Sequence, residues 1–279
     1  MIGRAMSRVA QVASDMAVHT ALGGWRLSGS PGRDLSRADG FWSEDLDAIE
    51  EVFEGYTGAF KVQLAGPVTL AASVEDRAGE KLVRDLGAVR DLAGALGQAW
   101  LNLRAEVSRR LPGALLIMQV DEPLLADALA GTLPTQSTWT TYPALEPATV
   151  TELLAGLRHG HDGEAVLHCC AKDVPFDVLA QAGFAPSFDM LLVGSQAVEA
   201  VGRHMDTGGR VFLGLEAASV TGGVEAVVRF GRAVGYAGHE WADRVVVTPP
   251  CDLLDMPMSG ACATMERLAA VAAALSQEG

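Results

Sequence analysis

The sequence predicts an α/β protein of the (β/α)8 barrel type, in which parallel strands are separated by helices. Short apolar runs alternate with longer helical patterns along the 279 residues, and this alternation is typical of βα units. The length suits one barrel domain over residues 1–279, because such barrels run near 250 residues. An open doubly wound sheet is the alternative, but neither Gly-x-Gly-x-x-Gly nor Gly-x-x-x-x-Gly-Lys follows any predicted strand. The usual dinucleotide and phosphate-binding loops are thereby excluded.

The elements follow from hydrophobic periodicity. Strands are predicted at Phe60–Ala65, Leu115–Val120, Ala165–Cys170, Asp189–Val193, Val211–Leu215 and Arg244–Thr248. Helices are predicted at Glu44–Glu54, Lys81–Arg110, Thr149–Arg158, Val174–Ala182, Ser195–Met205, Gly223–Val234 and Gly260–Leu275, and an amphipathic helix is expected at the start of the chain. Two stretches rich in Gly, Ser, Arg or Pro, Leu27–Asp39 and Gly131–Pro147, are expected to be long surface loops.

Composition excludes several classes of function. Lys and Arg total 21 against 35 for Asp and Glu, a net charge of −14, so binding to a phosphate backbone is not expected. No apolar run reaches the roughly 18 residues of a membrane span, and no secretory h-region is predicted. The four cysteines, two of them adjacent, do not form the framework of a secreted disulfide protein. We therefore expect a cytoplasmic protein that binds neither nucleic acid nor membrane.

One strand carries a candidate pair of metal ligands. In an extended chain alternate side chains share a face, so His168 and Cys170 point together while Cys169 points away. An imidazole beside a thiolate suits Zn²⁺, although a buried cysteine pair beside a hydrogen-bonded histidine has the same pattern.

A third ligand is expected from a distant part of the sequence. Cys251 follows the last predicted strand, and in a parallel barrel the carboxyl ends of all strands open on one rim. His168, Cys170 and Cys251 should therefore converge. Three nitrogen or sulfur ligands with one open position form a catalytic zinc site. Cys262, in contrast, lies on the apolar stripe of the last helix and is expected in the core.

Two acids end another strand of the same predicted rim. Asp121 and Glu122 can bind a substrate ammonium or act as general acid or base. They can equally cap a helix that starts at Pro123, because an acid before a proline often begins a helix.

Together these segments resemble the catalytic domain of cobalamin-independent methionine synthase, a zinc (β/α)8 barrel related to uroporphyrinogen decarboxylase. The matching segments are Leu64–Thr69, Gln119–Pro123, His168–Cys170 and Cys251-Asp252, which occur in family order over about residues 60–275. The resemblance implies methyl transfer to homocysteine, with a methyl-folate as the favoured donor. It also implies that His168, Cys170 and Cys251 are zinc ligands and that Asp121 holds the amino group of homocysteine.

The segments also depart from the family pattern. The family's fourth zinc ligand is a Glu that ends the strand after the His-x-Cys segment. Here Gly194 occupies that place, directly after the strand predicted at Asp189–Val193. The family's proton-relay His is absent from Gly214–Ser219, where Glu216 is the one candidate for a catalytic side chain. These departures leave open methyl or alkyl transfer to another thiol from a corrinoid or other donor, and a non-catalytic paralogue that acts by association.

The first one or two barrel strands are expected to be missing from this chain. Only six strands are predicted where a closed barrel needs eight. Either the start is an internal Met of a protein about 50 to 60 residues longer, by the length of one to two βα units, or the chain is a fragment with two exposed sheet edges. We favour the longer protein, because a missing quarter of the sheet leaves apolar surface bare.

Overall fold

The computed structural model describes residues 1–236 and 241–277 of the chain, whose contacts group into two compact units. The first unit holds Met1–Ala165 together with Gln181–Gly183. The second unit holds Val166–Ala180 and the chain from Phe184 onward. Each unit contains parallel strands joined by helices, while the assignment of residues 1–279 to one barrel domain stays a prediction.

In the first unit, helices alternate with strands, and a small additional sheet lies near the start of the chain. The helices are α1 (Ile2–Val12), α2 (Arg33–Val52), α3 (Pro67–Ser73), α4 (Leu86–Arg110), α5 (Leu125–Ala130) and α6 (Pro147–Leu157). The strands are β1 (Val18–Ala21), β2 (Gly24–Leu27), β3 (Ala59–Ala65), β4 (Val74–Glu75) and β5 (Leu115–Asp121). Strands β3 and β5 pair in parallel, with Ala65 beside Asp121 at their carboxyl ends. The small sheet pairs β2 with β1 in antiparallel and with β4 in parallel.

The second unit contains a parallel sheet and the helices that connect its strands. The strands are β6 (Ala165–His168), which begins at the unit boundary, β7 (Ala185–Asp189), β8 (Val211–Gly214) and β9 (Val245–Thr248). The helices are α7 (Phe176–Gln181), α8 (Ser195–Asp206), α9 (Val220–Ala233) and α10 (Met258–Gln277). Each strand pairs in parallel with the next along the chain, so that His168 lies beside Ser187, and Asp189 lies beside Gly214. All carboxyl ends therefore lie at one edge of this sheet.

An apolar core supports that edge. Phe188 of β7 is fully buried, and its ring meets the edge of Phe176 with centroids 5.1 Å apart. Helix α10 buries Leu268, Val271 and Leu275 against the same core. Such close packing fixes the strands that carry the candidate ligands.

Most predicted strands are confirmed to within two residues at each end, but one was wrong. The strand predicted at Asp189–Val193 is β7, which ends at Asp189 instead of beginning there. The Asp189 carboxylate accepts a hydrogen bond from the backbone N–H of Leu191 (2.8 Å) and closes a turn that stops the strand. The apolar run that suggested a strand lies in this turn, where the side chain of Leu191 is 69% exposed.

The predicted starts of two helices were also wrong. Helix α2 begins at Arg33 and not at Glu44, so the loop expected over Leu27–Asp39 is helical in its second half. Helix α4 begins at Leu86 and not at Lys81, because the Asp85 side chain accepts the first backbone N–H groups of that helix.

The remaining differences concern the start of the chain, one loop and one cysteine. The hairpin of β1 and β2 was not predicted, whereas the loop predicted at Gly131–Pro147 is confirmed up to the first residue of α6. Cys262 was expected in the core, but it is exposed on α10. Within residues 1–236 and 241–277, none of the helices is both long enough and apolar enough to cross a membrane.

Candidate functional site

The carboxyl end of β6 directs a histidine and a cysteine to the same side of the chain. The backbone N–H of Cys169 donates to the carbonyl of Ser187 on the neighbouring strand (2.9 Å), and the Cys169 side chain is fully buried. Because side chains alternate in an extended segment, burial of Cys169 turns His168 and Cys170 away from the core. Both of these residues are half-buried.

A second cysteine reaches the same place from the end of β9. Gly214, at the end of the neighbouring strand β8, makes room for the chain that leads to Cys251. A Cβ atom at position 214 would lie 2.7 Å from the Cα of Pro250 and 2.8 Å from the carbonyl oxygen of Phe188. Both distances are too short for a side chain, so only glycine allows this approach. The sulfur atoms of Cys251 and Cys170 consequently lie 3.7 Å apart.

Three side chains therefore converge at this edge of the second unit. One ligand atom each from His168, Cys170 and Cys251 lies within 4.8 Å of the others. The His168 Nδ1 atom is 3.1 Å from the hydroxyl of Ser187, a contact that orients the ring. Histidines that ligate metals commonly use one ring nitrogen for such an outer partner. The sequence prediction that these three residues meet is thus matched by the geometry.

The electrostatics of the cluster favour a bound cation. Burial, together with the adjacent Cys251 sulfur, raises the pKa of the Cys170 thiol from 9.0 to about 12. Two thiolates this close repel each other in a poorly solvated place. A coordinated divalent metal removes that penalty, because it deprotonates the thiols that bind it. The two sulfur atoms are therefore more stable as ligands of a bound metal than as two free thiolates.

The spacing of the donors fits zinc. Two sulfur ligands of a tetrahedral zinc ion, each about 2.3 Å from the metal, are about 3.8 Å apart. The corresponding distance between Cys170 and Cys251 is 3.7 Å. One imidazole and two thiolates also match the chemistry of catalytic zinc sites, which keep a fourth position for water or substrate.

Two acids lie near the ends of the neighbouring strands of this unit. The expectation that Gly194 ends the strand after the His-x-Cys segment was wrong, since that strand ends at Asp189. Asp189 is two residues beyond Ser187 and so leaves the sheet on the face where Ser187 meets His168. Glu216 follows β8 and is exposed. Among the described residues, the cluster of three includes neither acid.

The first unit carries the predicted acid pair at the end of β5, and there Glu122 supports the backbone. Glu122 is fully buried, and its two oxygens accept the backbone N–H groups of Val68 (2.9 Å) and Thr69 (2.7 Å). These donors belong to the first turn of α3, where helices leave N–H groups unpaired. Burial raises the pKa of Glu122 to about 7, although both backbone donors act in the opposite direction. Substrate binding by Glu122 stays a prediction.

The contact between Glu122 and α3 requires a glycine at position 66. A Cβ atom on Gly66 would lie 2.3 Å from Oε1 of Glu122, so the glycine is needed for the carboxylate to reach α3.

The helix after β5 begins at Leu125 and not at Pro123, and its N-cap residue Leu124 makes no side-chain cap hydrogen bond. The alternative in which these acids cap that helix was therefore wrong.

Asp121 belongs to a row of polar side chains that sequence reasoning missed. Asp121 and Gln119 are 7% and 6% exposed, and the Gln119 amide nitrogen donates to Oδ1 of Asp121 (2.6 Å). The Lys61 ammonium donates to the amide oxygen of Gln119 (2.5 Å). Loss of solvation lowers the pKa of Lys61, and the Asp121 charge opposes that shift. The signal was in β3, where the polar residues Lys61 and Gln63 alternate with apolar ones.

Fold and site together define an α/β protein with a thiol-rich candidate metal centre at the strand ends. The model of the family described as "Cobalamin-independent synthase, Catalytic domain" matches residues 49–274. The chain therefore belongs to the cobalamin-independent methionine synthase family, whose members are methyltransferases and in general depend on zinc.

Two solved structures show what fold this chain resembles. A B12-independent methionine synthase from Shewanella sp. W3-18-1, in complex with selenomethionine, matches with a TM-score of 0.62 and 15% identity over 91% of this chain and 71% of that chain. A methyltransferase from Methanosarcina mazei matches with a TM-score of 0.57 and 16% identity over 96% of this chain and 77% of that chain. A search of curated proteins gave no match. The likeness confirms the barrel-type α/β fold class predicted from the sequence.

Proposed function

We propose that this protein is a zinc-dependent S-methyltransferase whose favoured acceptor is homocysteine and whose favoured donor is a methyl-folate. The observation that carries the proposal is the convergence of His168, Cys170 and Cys251 within 4.8 Å. These residues would hold the zinc ion, which supplies a Lewis acid that lowers the pKa of an acceptor thiol. Family membership and the orienting contact of His168 with Ser187 support this assignment.

Asp189 is proposed as an additional, carboxylate ligand of the same site. It stands at the end of the strand after the His-x-Cys segment, where members of the family carry a Glu. Its carboxylate now accepts the N–H of Leu191 (2.8 Å) and would give up that bond to turn toward the cluster. Asp189→Asn should weaken zinc binding, whereas Asp121→Asn in the first unit should leave it unchanged.

The reaction forms one bond and breaks another. The sulfur of the acceptor forms a bond to the methyl carbon while the bond from that carbon to the donor nitrogen breaks. The acceptor thiol loses a proton, and the leaving amine gains one. Asp121 is proposed to hold the ammonium of homocysteine during this step, and Glu216 is the candidate acid of the second unit near the strand ends.

An assay of the zinc-loaded chain with homocysteine tests the proposal. Methionine should form from a methyl-folate, and Asp121→Asn should raise KM for homocysteine while zinc stays bound. A methyl-corrinoid donor is the second arm, because Gly214–Ser219 lacks the family's proton-relay His. If zinc binds and neither donor leads to methylation of homocysteine, the proposal fails. The chain is then better interpreted as a non-catalytic paralogue.

A further inference from the structure

Two opposite charges project from one face of the sheet in the first unit. The register of β3 and β5 pairs Gln63 with Gln119 and Ala65 with Asp121. Residues two apart on a strand share a face, so Lys61, Gln119 and Asp121 lie on the same side of this sheet. Lys61 is exposed as a residue, whereas its ammonium group is partly buried where it contacts Gln119.

The Gln119 amide is a fixed spacer between these charges. An ammonium can only donate and a carboxylate can only accept, so the amide has one possible orientation. Its oxygen accepts from Lys61 (2.5 Å), and its nitrogen donates to Asp121 (2.6 Å). With one amide between them, the Lys61 nitrogen and the Asp121 oxygen are no more than about 7 Å apart. Burial of Gln119 holds this distance.

The pair of charges complements an α-amino acid. Such a molecule carries an ammonium and a carboxylate on one carbon, and these groups need an anion and a cation at short spacing. Lys61 has three N–H donors, and it stands in a place where lost solvation disfavours an unpaired ammonium. A carboxylate ligand would compensate that loss.

We propose that Lys61 binds the α-carboxylate of the acceptor, whose α-ammonium the proposed function already assigns to Asp121. This assignment rests on the proposed function and narrows it, since it selects α-amino-acid thiols over thiols that lack either charge. Gln119 is a positioning residue that keeps the two charged groups at the spacing of the substrate.

Calorimetric binding to the zinc-loaded chain tests the assignment with three thiols. Homocysteine carries both charges, 4-mercaptobutyrate only the carboxylate, and 3-mercaptopropylamine only the ammonium. Lys61→Met should weaken binding of homocysteine and 4-mercaptobutyrate about tenfold, which is the value of one hydrogen bond to a charged group. Binding of 3-mercaptopropylamine should not change. Asp121→Asn should give the reverse pattern for the two single-charge thiols.

Two further variants guard against indirect effects. Lys61→Arg keeps the cation and should restore most of the homocysteine affinity. Arg109→Met removes an exposed cation of α4 and should leave all three affinities unchanged. Equal losses for all three thiols in Lys61→Met, or no loss for homocysteine, would overturn the assignment while leaving the proposed function intact. A zinc-loaded wild-type chain that binds none of the thiols would contradict the proposed function and this assignment together.

Discussion

Glu122→Gln is expected to change how the stability of the protein depends on pH. The pKa of Glu122 is about 7 in the folded chain, against 4.5 for an ordinary glutamate. The folded state therefore binds the proton more tightly than the unfolded state does. The contribution of Glu122 to the free energy of unfolding is highest below pH 4.5 and falls as the pH rises to 7, by roughly 3 kcal/mol.

The glutamine variant removes this dependence because it has no proton to lose. At pH 5 it should be less stable than the wild type by about 1–3 kcal/mol, since its NH2 group would face the backbone N–H of Val68 or Thr69. That difference should shrink, and then vanish or reverse, as the pH rises to about 7. Urea unfolding followed by circular dichroism between pH 4.5 and 8 measures it, with the exposed Glu51→Gln of α2 as control. A difference that stays constant or widens with pH would refute the reasoning.

Two other predictions concern the cluster of the second unit. Gly214→Ala should lower zinc affinity about tenfold, because the added Cβ displaces Pro250 and with it Cys251. Gly94→Ala is its control, because a Cβ atom at this position of α4 would meet only open space. Zinc affinity should not change, and the free energy of unfolding should rise by about 0.5–1 kcal/mol because alanine favours the helix more than glycine does. Equilibrium zinc titration and chemical unfolding check the pair, and equal zinc affinities in the two variants would contradict the role of Gly214. Zinc should also protect Cys170 from alkylation by iodoacetamide, whereas the exposed Cys262 should react equally fast with and without zinc. Peptide mass spectrometry reads out both rates, and protection of Cys262 would contradict the assignment of the ligands.

The convergence of candidate ligands that are distant in sequence could be predicted because it depends on topology. Cys170 and Cys251 are far apart in sequence, but both follow strands of one parallel sheet, whose carboxyl ends share an edge. The strand positions were readable because each strand is a short apolar run between helical patterns. Sequence spacing alone thus brought together the sulfur atoms that the structure places 3.7 Å apart.

Features that depend on turns and on individual side chains could not be predicted in this way. The end of β7 is set by the hydrogen bond of Asp189 to Leu191, which no apolar pattern reveals. Because the strand was predicted to begin at Asp189 and not to end there, Gly194 was placed at the strand end and Asp189 was not considered as a candidate ligand. The partner of Glu122 is the start of α3, a contact between segments that are 53 and 54 residues apart.

The metal content of the purified chain tests the central claim most directly. Elemental analysis by mass spectrometry should find one zinc ion per wild-type chain after dialysis against a weak chelator. Cys251→Ala should lose the metal, because it removes one of the three converging candidate ligands. Cys262→Ala, which removes an exposed thiol outside the cluster, should keep it. Stoichiometric zinc in both variants, or its absence from the wild type, would contradict the account.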